Sequence, residues 1–134
     1  MKIGPIRPIG PILHKPVWMN LESLRKLCLT FPGAAEDVKW GNDLTFVVGE
    51  KMFCITGFKN PPSICIKVRA EDFDELVATP GIKPAPYLAR NKWVVIEDVN
   101  DFSSREIEAH LRTSYELVKA KLPKRVQAGF ISTR

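Results

Sequence analysis

The chain has 134 residues, of which 45% are apolar, and a formal net charge of +5. This length and composition predict one compact domain that folds without a metal or a disulfide and buries roughly 68% of the surface of its unfolded chain. No apolar run approaches the roughly 18 to 20 residues of a membrane-spanning helix. The three cysteines lack a C-x-x-C spacing, which favours reduced thiols and a cytoplasmic protein.

The basic excess lies at the two ends of the chain. Residues 1–19 and 123–134 contain basic but no acidic residues, whereas 20–122 has a net charge of −1. Within this central part, the strand and loop segments 38–69 and 79–96 have a net charge of +6. This separation predicts a basic side of the domain that orients a polyanion, with chance segregation in a short chain as the competing explanation.

The two ends are predicted to lie outside the folded domain. Residues 1–18 form a proline-rich leader without periodicity, which we expect to be disordered rather than to act as a polyproline ligand. The leader lacks the continuous apolar centre of a signal peptide. Residues 124–134 form a basic tail, so the domain is expected over 19–123.

Consecutive short strands are predicted in the first half of the domain, between residues 39 and 69. The best-defined ones span 44–48, 51–57 and 63–68. Gly49-Glu50 turns the chain between the first two, and the alternation of the second predicts Phe53 and Ile55 on one face. The third has an apolar face and a basic face that carries Lys67 and Arg69.

Helices are predicted on both sides of these strands. The first begins at Asn20, a favourable cap, and the last begins with the capping-box pair Ser103 and Glu106. Between them lie a short acidic helix, a rigid proline loop over 82–91 and a strand over 92–97. Short connections make the sheet antiparallel. The predicted fold is therefore α+β, an antiparallel β-sheet with α-helices packed on one face in the order α-β-β-β-β-α-β-α.

No group of residues has the spacing of a catalytic or metal site. His14 and His110 belong to no recognised ligand pattern, and the sequence contains no P-loop and no nucleophile elbow. The acidic residues of 71–75 are interpreted as the solvated face of a short helix. We expect a non-enzymatic protein without a cofactor or a metal.

Basic residues of the strand and loop segments are the candidate nucleic-acid contacts: Lys51, Lys67, Arg69, Lys83, Arg90 and Lys92. Their charged side chains are suited to contacts with phosphates, and the sequence indicates no residue that would recognise particular bases. The expected partner is therefore DNA, bound with weak or no sequence specificity.

The alternative is a protein-interaction or small-ligand surface around the loop Pro84–Tyr87, with Trp40, Tyr87 and Trp93. Packing in the core is the competing role for both tryptophans. The sequence does not define an oligomeric state.

Several motifs occur in order over 20–123: Phe31-Pro32-Gly33, Trp40-Gly41, Lys51-Met52-Phe53, Ile66-Lys67-Val68, the proline loop from Pro80 to Leu88, and Ser114-Tyr115-Glu116-Leu117-Val118. In these motifs the chain resembles the MmcQ/YjbR family, whose fold belongs with the CyaY-like superfamily. The resemblance implies an antiparallel sheet with helices on one side. It also implies a double-wing mode of DNA binding, in which two strand-loop-strand wings contact the duplex.

The wings implied by the resemblance are centred on Gly49-Glu50-Lys51 and on Phe58 to Pro62. The sequence departs from the family pattern at Asn42, where a His often follows Trp-Gly, and at Val47, where a Lys often precedes Val-Gly. The missing lysine makes the first wing less basic. The kinship with CyaY-like proteins also suggests iron binding, which the basic residues of the first helix disfavour.

Overall fold

The structure is a computed structural model, and it describes residues 19–39, 43–58 and 61–131. The leader and Trp40, for which predictions were made above, lie outside these residues. The strands are β1 Ala34–Lys39, β2 Asp43–Val48, β3 Lys51–Thr56, β4 Ile64–Lys67, β5 Ile82–Pro84 and β6 Trp93–Ile96. The α-helices are α1 Leu21–Leu29, α2 Ala70–Val77, α3 Ser104–Lys119 and α4 Lys124–Ile131, with short 3-10 helices at Ala89–Asn91 and Val99–Asp101.

The strands form one antiparallel sheet in the order β1-β2-β3-β4-β6-β5, with helices packed against it. This confirms the predicted α+β class. One more strand is present than was predicted, because Ile82–Pro84 of the proline loop pairs with the last strand. Residues 124–131, expected as a tail, form α4. None of the described helices has the length and apolar character needed to cross a membrane.

The core lies where α1 and α3 pack against the sheet. Leu24 of α1 and Leu111 of α3 are fully buried there. Phe31, Phe53 and Tyr115 form an aromatic cluster with ring centroids 5.0 to 6.0 Å apart. The Tyr115 hydroxyl donates a hydrogen bond to the carbonyl of Pro32, which satisfies the polar end of a buried ring.

A bulge in β3 changes which of its side chains face the core. Phe46 pairs with Cys54 whereas Val47 pairs with Met52, so Phe53 is an extra residue in the ladder. Phe53 and Cys54 are both fully buried, and Ile55 points to the opposite face. The prediction that Phe53 and Ile55 share a face is therefore wrong, because an inserted residue breaks the alternation of the strand.

Helix α3 begins as predicted, with a complete capping box. The Ser103 Oγ accepts from the Glu106 N–H at 3.1 Å, and the Glu106 carboxylate accepts from the Ser103 N–H at 2.9 Å. These bonds satisfy two of the free amides at the helix start. The helix ends at Lys119, slightly earlier than predicted, and a turn leads into α4.

Candidate nucleic-acid interface

Strands β3 and β4 separate at the end of the sheet that carries Lys67. They pair at only two positions, Cys54 with Ile66 and Ile55 with Cys65. Beyond these, Ser114 of α3 occupies the gap: its Oγ donates to the Phe53 carbonyl at 2.5 Å and accepts from the Lys67 N–H at 3.0 Å. A buried side chain thus replaces the missing rung of the ladder, so neither backbone group is left unpaired.

A pocket of about 460 Å³ lies beside this gap. Its lining residues come from β3, β4, β6, the 3-10 helix before β6, the end of α3 and the turn after α3: Lys51, Lys67, Asn91, Trp93, Val118 and Lys121. We call it the lysine pocket. Three of the lining side chains are cationic and none is a carboxylate.

The three lysines differ in their surroundings. The Lys67 Nζ donates to the Asn91 carbonyl at 2.7 Å, which holds its ammonium at the pocket wall. Partial burial lowers the pKa of Lys67, and the positive charge of Lys121 lowers this pKa further. Lys51 and Lys121 are exposed, and within the described part of the chain neither forms an ion pair. Among the residues that the structure describes, no carboxylate lines this concentration of positive charge, which favours an anion.

The structure brings two of the six predicted phosphate contacts together in this pocket, Lys51 and Lys67. Two others have carboxylate partners: the Lys83 Nζ lies 2.6 Å from Glu97, and Arg69 lies 3.7 Å from Asp72.

The last two predicted contacts flank the pocket residue Asn91. Lys92 has its ammonium 4.8 Å from the centre of the Phe73 ring, and Arg90 is exposed. The six residues therefore do not form one uniform surface, because half-exposed ion pairs screen two of them.

Sequence reasoning missed Lys121 and Asn91 as pocket residues. Lys121 follows the helix that was expected to lie across the sheet, and the chain carries no acidic residue after Glu116. That stretch of basic residues, which continues into Lys124 and Arg125, was the available signal. Asn91 contributes its backbone carbonyl, and a contact made by the backbone cannot be predicted from the pattern of side chains.

The aromatic residues of the alternative surface are in different environments. Trp93 is 8% exposed, which agrees with a packing role, and it also lines the lysine pocket. Tyr87 is completely exposed and has a positive φ of 67°. This backbone conformation is energetically unfavourable for residues other than glycine. The contribution of Trp40 stays a prediction.

The cysteines have the properties of packed thiols. Cys28, Cys54 and Cys65 are free, and the first two are buried. The neighbouring Cys28 and burial raise the pKa of Cys54, and burial raises the pKa of Cys65 to about 12. The thiols of Cys54 and Cys65 therefore stay protonated at neutral pH and are weak nucleophiles. The described residues also contain no group of three or more His, Cys, Asp or Glu side chains that could hold a metal ion.

The fold and the pocket define a small α+β domain with a lysine-lined pocket at one end of its sheet. The chain belongs to the YjbR family, whose model matches residues 29–117.

The solved structures that are similar to the chain include those of two proteins. One is a Deinococcus radiodurans protein with a DUF419 domain, at 25% identity and a TM-score of 0.76, covering 87% of this chain and 91% of that one. The other is a Pseudomonas syringae protein, at 20% identity and a TM-score of 0.63, covering 75% of this chain and 99% of that one, and it supports the fold alone. No curated protein matches the sequence significantly.

Proposed function

We propose that this protein binds DNA through phosphate contacts made by the lysine pocket and the basic residues beside it. The observation that carries the proposal is the presence of Lys51, Lys67 and Lys121 in one pocket without a carboxylate. Phosphate contacts supply most of the affinity of proteins that bind nucleic acid without sequence preference. The cytoplasmic location expected from the reduced cysteines would give the protein access to DNA.

The tight turn between β2 and β3 supports this assignment because it corresponds to the first wing implied by the family resemblance. Gly49 and Glu50 have φ values of 56° and 69°, as in the type I′ turns of hairpins, and Lys51 follows directly. A Cβ added to Gly49 would lie 2.6 Å from Leu122 Cδ1, so the turn packs against the connection between α3 and α4. The basic residues of the turn and of this connection are therefore neighbours.

The basic surface extends from the pocket into α4. Lys124 and Arg125 begin this helix two and three residues after Leu122, and both are exposed. Lysine ammonium groups are point charges that contact phosphates without fixing a base sequence. We therefore propose binding with weak or no sequence specificity. Four to five phosphate contacts would give a slope of log K against log salt of roughly −4.

Binding of the full chain to a duplex of about 20 base pairs, measured by fluorescence anisotropy between about 0.05 and 0.2 M salt, tests the proposal. The pocket variant carries Lys51→Gln and Lys121→Gln. The matched control carries Lys26→Gln and Lys83→Gln, which remove the same charge from α1 and from the ion pair with Glu97. We expect the pocket variant to bind at least about tenfold more weakly, with a slope reduced by about 2, and the control to bind almost as the unmodified protein does.

Equal losses in the two variants would mean that only net charge matters. Unchanged affinity in the pocket variant would assign binding to basic residues outside the pocket. Either result would contradict the proposal.

Tyr87 supports a second candidate function, binding of a protein partner through the proline loop. A fully exposed tyrosine with a positive φ is costly to the folded state, and such strain is often kept for function. If the loop serves a different partner, Tyr87→Gly should raise stability by about 1 kcal/mol and leave DNA affinity unchanged. A fall in DNA affinity would instead assign Tyr87 to the DNA surface.

A further inference from the structure

We propose that the lysine pocket is a binding site for a phosphate monoester, the group carried by a mononucleotide and by the 5′ end of a phosphorylated nucleic-acid strand. The inference rests on the proposed function and adds a ligand class to it. Binding along a duplex needs only contacts to diester phosphates, whereas this pocket has the shape and charge for a terminal group.

The shape of the pocket favours a projecting group. Its volume of about 460 Å³ lies within the range of roughly 300 to 1,000 Å³ that is typical of small-molecule sites. One of its lining residues, Lys67, donates its backbone N–H to Ser114 in the gap between β3 and β4. The phosphates of a duplex lie on a convex surface between sugars, so they reach the rim of such a pocket more readily than its interior. A terminal phosphate can enter it.

The charge of the pocket favours a dianion. A phosphate monoester carries about −1.5 to −2 charges near pH 7, whereas each diester carries one. The pocket holds three ammonium groups and no carboxylate. Partial burial and the repulsion from Lys121 both lower the pKa of Lys67, because both destabilise its charged ammonium group. A bound dianion would stabilise this charged form and so offset both effects. A monoester therefore gains more from the site than a diester does.

The hydrogen-bonding groups of the pocket match a terminal phosphate. Lys67 uses one of its three N–H donors on the Asn91 carbonyl and keeps two for a ligand. Lys51 and Lys121 add further donors, and a monoester offers three terminal oxygens. Trp93 and Val118 form the apolar part of the lining, which suits the sugar or base attached to the phosphate.

The first test compares two single-stranded oligonucleotides of one sequence, with a 5′-phosphate or a 5′-hydroxyl group, binding to the full chain. A parallel titration calorimetry experiment compares AMP with adenosine. We expect the phosphorylated member of each pair to bind at least about tenfold more tightly. Lys67→Gln and Lys121→Gln should each remove most of this preference. Lys26→Gln, which neutralises an exposed lysine outside the pocket, should retain it.

The results of these experiments test phosphate-monoester binding by the pocket independently of duplex DNA binding. Equal affinity for the phosphorylated and unphosphorylated ligands would overturn the inference, and so would a preference that survives both lysine variants in folded protein, as judged by melting temperature. Salt-dependent duplex binding could still stand in either case. Tight binding of AMP would identify mononucleotides as the source of the monoester, whereas a preference confined to the oligonucleotides would identify strand ends. If the unmodified protein bound AMP but did not bind duplex DNA, only the proposed function would be overturned.

Discussion

Replacing Ser114 by alanine tests whether one helix side chain holds the two separating strands together. The Ser114 hydroxyl donates to the Phe53 carbonyl and accepts from the Lys67 N–H, so Ser114→Ala removes both hydrogen bonds. The methyl group of alanine fills part of the space but offers no polar partner. Ser114 is completely buried, so water does not reach the Phe53 carbonyl without local rearrangement.

The expected loss follows from the two unpaired backbone groups. Leaving a buried donor or acceptor unsatisfied costs about 1 to 3 kcal/mol, and the partly buried Lys67 amide belongs at the lower end of that range. We expect a loss of about 2 to 4 kcal/mol in the free energy of unfolding. At about 2.1 cal/mol/K per residue, the unfolding entropy of the roughly 113 residues over 19–131 converts this loss into a fall of roughly 8 to 17 °C in Tm.

Urea unfolding followed by tryptophan fluorescence measures the loss, and amide hydrogen exchange locates it. The Lys67 amide should exchange faster in Ser114→Ala, because its acceptor is the Ser114 hydroxyl, by a larger factor than the general loss of stability explains. Ser104→Ala is the matched control: Ser104 is exposed in the first turn of α3, and alanine is a better helix former.

A loss below about 1 kcal/mol for Ser114→Ala would refute the reasoning, because it would show that the gap between β3 and β4 closes or hydrates at little cost. Unchanged exchange at Lys67 would refute it independently. An equal loss in Ser104→Ala would point to a general effect on the helix rather than to the missing rung.

Two further predictions concern the tight turn and the surface of α3. Glu50→Gly should raise the free energy of unfolding by about 1 kcal/mol in urea titrations, because Glu50 has a φ of 69° that glycine adopts without a penalty. Burial lowers the pKa of His110 from its usual value of 6.5, against smaller opposing effects of Glu106 and Asp72. The folded state then binds this proton less readily than the unfolded chain, so stability should fall as the pH drops through about 6.5 towards the lower folded pKa. His110→Gln should make this decline shallower in melting curves recorded from about pH 7.5 to about pH 5.5.

Controls separate these effects from simple loss of a side chain. Glu50→Ala removes the same charge but keeps a Cβ in the left-handed conformation, so it should not reproduce the gain of Glu50→Gly. An equal gain in both variants would show that charge rather than backbone strain limits the turn. For His110, a decline on acidification as steep in His110→Gln as in the unmodified protein would assign the pH dependence to other groups.

Much of the fold follows from local sequence features. The capping pair Ser103 and Glu106, the turn at Gly49-Glu50 and the apolar periods of α1 and α3 each act over a few residues, so they can be identified without knowing the rest of the chain. The bulge at Phe53 could not be identified in this way. It depends on how β2 and β3 align, and the alternating pattern of β3 alone points to a regular strand.

The charged residues show the same division. Composition alone predicted a basic strand and loop side, but it could not reveal that Lys83 lies beside Glu97 or that Arg69 lies near Asp72. Ion pairs of this kind join residues on different elements or at element ends. They form only where two side chains lie within a few ångströms of each other. The number of charged residues in a segment does not give these distances.

By itself the sequence determined the α+β class, the family and most of the helices and strands, because these depend on periodicity, capping and turn residues that act over short distances. Only the tertiary structure decided which lysines meet. Lys51, Lys67 and Lys121 are distant in the chain and come together because β3 pairs with β4 and α3 packs against both strands. Long-range packing therefore selected two of the six predicted basic residues, Lys51 and Lys67, and placed Lys121 beside them.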